Sequence, residues 1–198
     1  MTALFARTGV DDAEYLRAQV YTLLGRLLLA PPDAALLNAL GTVPRDASPL
    51  GSALGALADV ASQTPPARAE REFHDLFIGV TQGEVVPYAS YYRTGFLNDK
   101  PLAALRADMA PLGLCRAPGV PEPEDHLGAL CEMMATLIAR GTDLPTQKTF
   151  FDRHIAPWAG VSFADIERAP SALLYRPVGT IGGLLLSIED DAFALLGG

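Results

Sequence analysis

Between its prolines this chain repeats apolar residues at intervals of three and four, and nowhere does it sustain an alternating run. A spacing near 3.6 is the period of a helix with one buried stripe, whereas a half-buried strand needs a period of two. Tyr15, Leu16, Val20, Leu23, Leu24, Leu27 and Leu28 mark one wide apolar face behind Asp11 and Asp12, which suit a helix start. Leu50, Leu54, Leu57 and Ala61 mark a second, and Phe73, Leu76, Phe77 and Val80 a third. Leu102, Leu105, Met109 and Leu112 follow, and then Leu127, Leu130, Met134, Leu137 and Ile138. Punctuation agrees with the period: Pro31-Pro32, Gly41, Pro65-Pro66 and Gly141 stop helices, and Asp33, Ser48-Pro49 and Lys100-Pro101 open them.

The expected fold is therefore all-α, a single-domain bundle of about nine or ten helices over residues 1–198. Its N-terminal helical part would take about 1–115 and its C-terminal part about 122–198. With 49% of 198 residues apolar, a sizeable core is within reach. Glu122-Pro123-Glu124-Asp125 reads as the opening of a long helix, with proline at its first position and the acids at the positive end of its dipole. Residues 146–155 read as a further helix, and Pro157-Trp158 opens the next, to about Arg168. Ser171 can cap the last region, Pro177 interrupts it, and a final helix runs to about Leu196. Gly179, Gly182 and Gly183 read as close helix packing.

Several functions are excluded at this level. The formal net charge is -8 and the 15 Lys and Arg are scattered, so no phosphate-binding surface forms and a nucleic-acid partner is not expected. Cys115 and Cys131 lie outside any CxxC, which leaves no zinc framework, and Cys131 reads as a small buried hydrophobe. Residues 1–10 carry no basic region followed by an apolar run, so no secretory signal is expected. The longest uncharged apolar stretch, 178–188, falls short of the roughly 20 residues a bilayer span requires. A cytoplasmic protein without stable membrane insertion follows as the expectation. No GxxxxGK[ST], no GxGxxG after a strand and no GxSxG occur, and His74, His126 and His154 form no HExxH. No catalytic group, metal or cofactor is assigned, and GTP binding is not expected.

Two segments carry more unusual residues than packing requires. Phe73, Leu76 and Phe77 share one helical face and serve as core or as an apolar wall equally well. Beyond them Pro87 stiffens a loop that holds Tyr88, Ser90, Tyr91 and Tyr92. Tyrosine gives large amphipathic contact area at low entropy cost, which suits peptide binding, although anchoring the loop explains it equally. The second segment is Glu122, Pro123, Glu124, Asp125 and His126, with Glu132 further on. Asp125 or Glu122 could accept from a partner's Arg or Lys, and His126 could donate to a neighbour and steady the loop.

At these residues the sequence resembles the TorD/DmsD/NarJ family of redox-enzyme maturation chaperones. The shared pattern is Phe73, Leu76-Phe77 and Gly79, then Pro87-Tyr88-Ala89-Ser90-Tyr91, then Glu122-Pro123-Glu124-Asp125-His126. The stretch from Phe150 to Trp158 resembles the family's helix–Pro–Trp connection. The resemblance spans most of the chain, and residues 1–66 match only as a generic helical region. It departs at Tyr88, where the family often has Trp, and at Phe73, where a larger aromatic is common. It implies a TorD-like helical fold and a cytoplasmic, non-enzymatic chaperone. The implied partner is the twin-arginine signal peptide and apoprotein of a molybdenum oxidoreductase catalytic subunit, held until cofactor insertion is complete and then released for export. An acidic protein complements paired arginines ahead of an apolar run. On this basis the peptide-binding residues are Phe73, Leu76, Phe77, Pro87, Tyr88, Ser90, Tyr91, Glu122, Pro123, Asp125, His126 and Glu132. Residues 83–88 with Lys100-Pro101-Leu102 look closest to members associated with formate dehydrogenase, and the resemblance allows a monomer or a helix-exchanged dimer. Two other classes stay open: a small metal-dependent hydrolase built on Asp125, His126 and Glu132, and a structural helical assembly subunit.

Overall fold

The computed structural model describes residues 10–116 and 122–195, so the expectation about a secretory signal in residues 1–10 falls almost wholly outside it. Ten α-helices and one π-helical turn run through the described residues: α1 Val10–Leu29, α2 Ala34–Leu40, α3 Pro49–Ser62, α4 Pro66–Phe77, α5 Ala89–Thr94, α6 Lys100–Met109, α7 Leu127–Ala139, α8 Leu144–Phe150, the π turn Phe151–Ile155, α9 Ala159–Arg168 and α10 Tyr175–Ala194. The all-helical expectation holds. Many starts are set locally, because Asp33, Ser48 and Asp143 each accept a backbone N–H of the helix they precede. Among the described residues no helix is long and apolar enough to cross a membrane.

The chain gathers into two compact units. One takes the chain up to Leu29 together with Tyr88–Pro157, and the other takes Ala30–Pro87 together with the chain from Trp158 onward.

In the first unit α1 lies along α7, and glycines allow the approach. A Cβ on Gly128 would stand 2.8 Å from Leu29 Cγ and 3.2 Å from the Gly25 carbonyl oxygen. Only a residue without a side chain fits there. Leu24, Leu27, Leu28, Leu127, Leu130, Cys131 and Met134 are buried around it. Burial pushes the Cys131 thiol far above its ordinary range, in keeping with a packing role. Leu16, placed on the apolar face by its spacing, is instead 43% exposed. The helix expected over 146–155 begins at Leu144 and widens into the π turn, where Arg153 and His154 both reach the Asp108 carboxylate.

In the second unit α10 packs on α9 and α3. A Cβ on Gly182 would stand 2.2 Å from the Phe163 ring, and one on Gly179 2.6 Å from the Phe163 carbonyl oxygen. Gly183 meets nothing within 4 Å, which corrects its assignment to the same contact. Pro177 does not interrupt the last helix either. It sits in the first turn of α10, where the N–H it lacks would have no intrahelical partner. Ser171 bonds Glu84 rather than capping α10. The cap is Glu72, a buried carboxylate from α4 that accepts from Leu173 N–H at 2.8 Å and Tyr175 N–H at 2.9 Å. Val80 lies past the end of α4 and is fully exposed, because the helix stops at Phe77.

Candidate functional site

The twelve residues singled out from sequence divide between the two units. Phe73, Leu76, Phe77 and Pro87 belong to the second. Phe73 and Leu76 are buried in its core, and Phe73, Phe77 and Tyr175 form a triangle of rings with centroids 5.2 to 6.2 Å apart. Pro87 is buried as well. Packing accounts for these four without a ligand.

Tyr88, Ser90, Tyr91, Glu122, Pro123, Asp125, His126 and Glu132 belong to the first unit. Most of them converge on one junction, where the segment entering α5 meets the segment entering α7. Tyr88 and His126 pair through an antiparallel β-bridge, isolated among the described residues. Their rings meet edge to face, centroids 4.9 Å apart. Helix α5 has no capping side chain of its own. Asp125 supplies acceptors for the first two N–H groups of α5: its carbonyl takes the Ala89 N–H at 2.9 Å, and its Oδ2 takes the Ser90 N–H at 2.8 Å. The Ser90 hydroxyl donates to the same Oδ2 at 2.5 Å and accepts from Asp99 N–H at 3.2 Å, which ties the start of α6 to the junction. Ser90 and Asp125 are both essentially sealed from solvent, and Asp125 Oδ1 has no hydrogen-bond partner among the described residues.

The segment 122–126 departs from the sequence reading. It does not open a helix with proline first and acids in the first turn. α7 starts at Leu127, and its first turn carries no acid. His126 is the N-cap, its Nδ1 accepting the Gly128 N–H at 3.0 Å, so this nitrogen accepts where a donor role was expected. Burial lowers the His126 pKa from 6.5 to about 4, and the positive helix end also disfavours an imidazolium. Pro123 begins a turn whose carbonyl accepts the His126 N–H. The acids were freed from helix-start duty for longer-range work. Glu124, nearly buried, accepts from Arg106 Nε at 3.0 Å and Nη2 at 2.7 Å. Its burial alone would raise its pKa, but the Arg106 bonds, a backbone N–H and the charges of Arg106 and Arg116 together hold it below the ordinary value. Glu122 accepts from the Tyr88 hydroxyl, and burial together with this carboxylate holds the phenol well above its usual range.

Tyr91 is partly exposed and meets Tyr92 edge-on. Glu132 is exposed, its stem against Gly25 of α1. Asp125, His126 and Glu132 therefore do not assemble as a triad, and among the described residues no group of three or more His, Cys, Asp or Glu is arranged to hold a metal. Sequence reasoning missed Arg106, on α6 eighteen residues before Glu124, and no local signal marks it.

Beside the junction lies a groove of about 260 Å³, with Leu29, Ala129 and Met133 in its wall and Glu122, Glu132, Arg116 and Arg140 around it.

Comparison with known proteins bears on this arrangement. Residues 44–164 match the family described as nitrate reductase delta subunit, a span that contains every candidate residue above. The chaperone protein TorD of Vibrio cholerae serotype O1 strain M66-2 is 30% identical over 159 residues, covering 75% of this chain and 67% of that protein. TorD of strain ATCC 39541 is 29% identical over the same length, with the same coverage. A crystal structure described as a redox enzyme maturation protein from Archaeoglobus fulgidus covers 94% of this chain and 99% of its own, with a TM-score of 0.59 at 17% identity, and so shares the fold. The chain belongs to the nitrate reductase delta subunit family, the TorD/NarJ family of redox-enzyme maturation chaperones, and not to an enzyme family.

Proposed function

We propose that this chaperone binds the signal peptide and apoprotein of a molybdenum-containing oxidoreductase subunit in the cytoplasm, and holds them through cofactor insertion before export. Residues 1–198 work as one TorD-like domain in this reading, as a monomer or a helix-exchanged dimer, and a formate dehydrogenase-like subunit is the client class. The observation that carries it is the locked junction in the first unit. Asp125 Oδ2 holds the Ser90 amide and hydroxyl and His126 Nδ1 holds the Gly128 amide, while Tyr88, Tyr91, Glu122 and Glu132 stay partly or fully open to solvent around them. A rigid, aromatic and acidic surface of this kind suits a peptide that carries paired arginines ahead of an apolar run. Asp125, His126, Ser90 and Pro123 shape the surface. Tyr88, Tyr91, Glu122 and Glu132 touch the peptide.

The test is calorimetric titration of a twin-arginine signal peptide against the full chain and its variants. Glu122→Gln should weaken binding roughly two- to fivefold, as loss of an exposed charge pair does. Tyr88→Ala should weaken it about tenfold, the scale of a lost aromatic anchor. The double variant Asp125→Ala with His126→Ala should weaken it further by loosening the junction. Equal affinity across all variants would sink the site assignment, and no binding of any such peptide would sink the function.

A further inference from the structure

Three carboxylates line the groove beside the junction among the described residues, and each is held differently. Glu124 is spent, because Arg106 donates to it twice and cancels its charge. Glu132 is unheld: its backbone carbonyl accepts the Thr136 hydroxyl, but among the described residues no donor reaches its carboxylate. Glu122 lies between these cases. The Tyr88 hydroxyl donates to its Oε2, and its Oε1 has no hydrogen-bond partner among the described residues. The donor is neutral, so Glu122 is held in place with its charge intact. Arg116 and Arg140 line the same groove, but they donate to the Glu122 and Gly113 carbonyls and leave the Glu122 carboxylate to Tyr88.

Tyr88 can fix Glu122 because it is itself fixed. Its backbone bridges His126 and its ring stands edge-on to the His126 ring. It is not part of the groove wall, so its hydroxyl reaches Glu122 from the junction. Burial and the neighbouring carboxylate keep the phenol protonated, and therefore a donor. A carboxylate has about four lone-pair sites, of which Tyr88 uses one. The rest suffice for a guanidinium fork, which takes one site on each oxygen and needs the carboxylate in a set plane. An ammonium is a point charge and makes no such demand.

We propose that Tyr88 is a positioning residue whose hydroxyl holds the Glu122 carboxylate ready for a client guanidinium, and so gives the groove a preference for arginine over lysine. The inference rests on the reading of the chain as a binder of arginine-bearing signal peptides, and names what selects arginine there. A glutamate held beforehand loses no rotamer freedom when the peptide arrives, which is worth roughly three- to tenfold in affinity. The two arginines already in the groove oppose any further cation, so bare charge gains little and hydrogen-bond geometry decides.

The experiment is calorimetric titration of two signal peptides, identical except for adjacent arginines or adjacent lysines, against the full chain and four variants. Wild type should bind the arginine peptide roughly fivefold tighter than the lysine peptide, and Tyr88→Phe, which keeps the ring on His126, should bring that ratio below about twofold. Glu122→Gln should remove the preference as well. Adding Tyr88→Phe to Glu122→Gln should cost nothing more, because the hydroxyl acts only through that carboxylate. A merely structural hydroxyl would weaken both peptides alike, in either background. Glu122→Asp keeps the charge and leaves Tyr88 intact but draws the carboxylate back from the hydroxyl. It should lose the preference too, and covers the case in which Tyr88→Phe is poorly folded. A retained arginine preference in Tyr88→Phe or Glu122→Asp overturns the proposal, as does tighter binding of the arginine peptide by Tyr88→Phe or a further loss in the double variant. If wild type binds neither peptide, the functional reading falls and this inference with it. If wild type binds both and Tyr88→Phe keeps the same ratio, only this inference falls.

Discussion

His126 couples folding to pH, and the size of the effect follows from its setting. Its Nδ1 caps α7 as an acceptor, and burial holds its pKa at about 4 against 6.5 for an ordinary histidine. Because the folded value is the lower one, this histidine adds no penalty above pH 6.5, and stability is lost as pH falls toward 4. At pH 5 an ordinary imidazole is protonated by about thirty to one, while the buried one stays about nine-tenths neutral. The resulting loss between pH 7 and pH 5 is about 2 kcal/mol. His126→Asn tests this, because asparagine is a good N-cap acceptor and does not titrate. Urea unfolding of both proteins at several pH values gives their stability difference as a curve, in which the other titrating groups cancel. That curve should fall by about 2 kcal/mol from pH 7 to pH 5, at the expense of the wild type. A flat curve would refute the assignment of His126 as a buried neutral cap.

Three further outcomes are expected. Asp125→Ala strands the Ser90 N–H and hydroxyl in a sealed site, and should cost about 3 kcal/mol in urea unfolding. Combining it with Ser90→Ala should cost less than the two separate losses together. Gly128→Ala forces a methyl into Leu29 and should cost about 1–3 kcal/mol, and a stability equal to wild type would show that α1 and α7 are not in close contact there. Glu72→Ala uncaps α10 and should cost about 1–2 kcal/mol, with faster hydrogen exchange at Leu173 and Tyr175 as the local readout.

The helices themselves were legible in the sequence because helix formation is a local matter. A period of 3.6, proline and glycine breaks, and caps such as Asp33 and Ser48 act within one turn of chain. The motif residues were legible too, and eight of the twelve fall in one unit, most of them at one junction. Their duties were not. Pro123 and its neighbouring acids had the composition of a helix start, yet α7 starts at Leu127 behind the His126 cap, and Asp125 and Glu124 bond partners 35 and 18 residues away. Phe73, Leu76 and Phe77 could have been wall or core on periodicity alone, and the packing of Phe73 and Phe77 against Tyr175, more than ninety residues on, had no local signal. Pro177 looked like a break until the start of α10 placed it in a first turn. Sequence alone determined that the chain is helical and which residues are unusual, since those depend on neighbours in the chain. Tertiary structure decided which carboxylate caps, which pairs and which stays open to a partner, because a buried polar group takes its role from whatever donor folding brings within 3 Å.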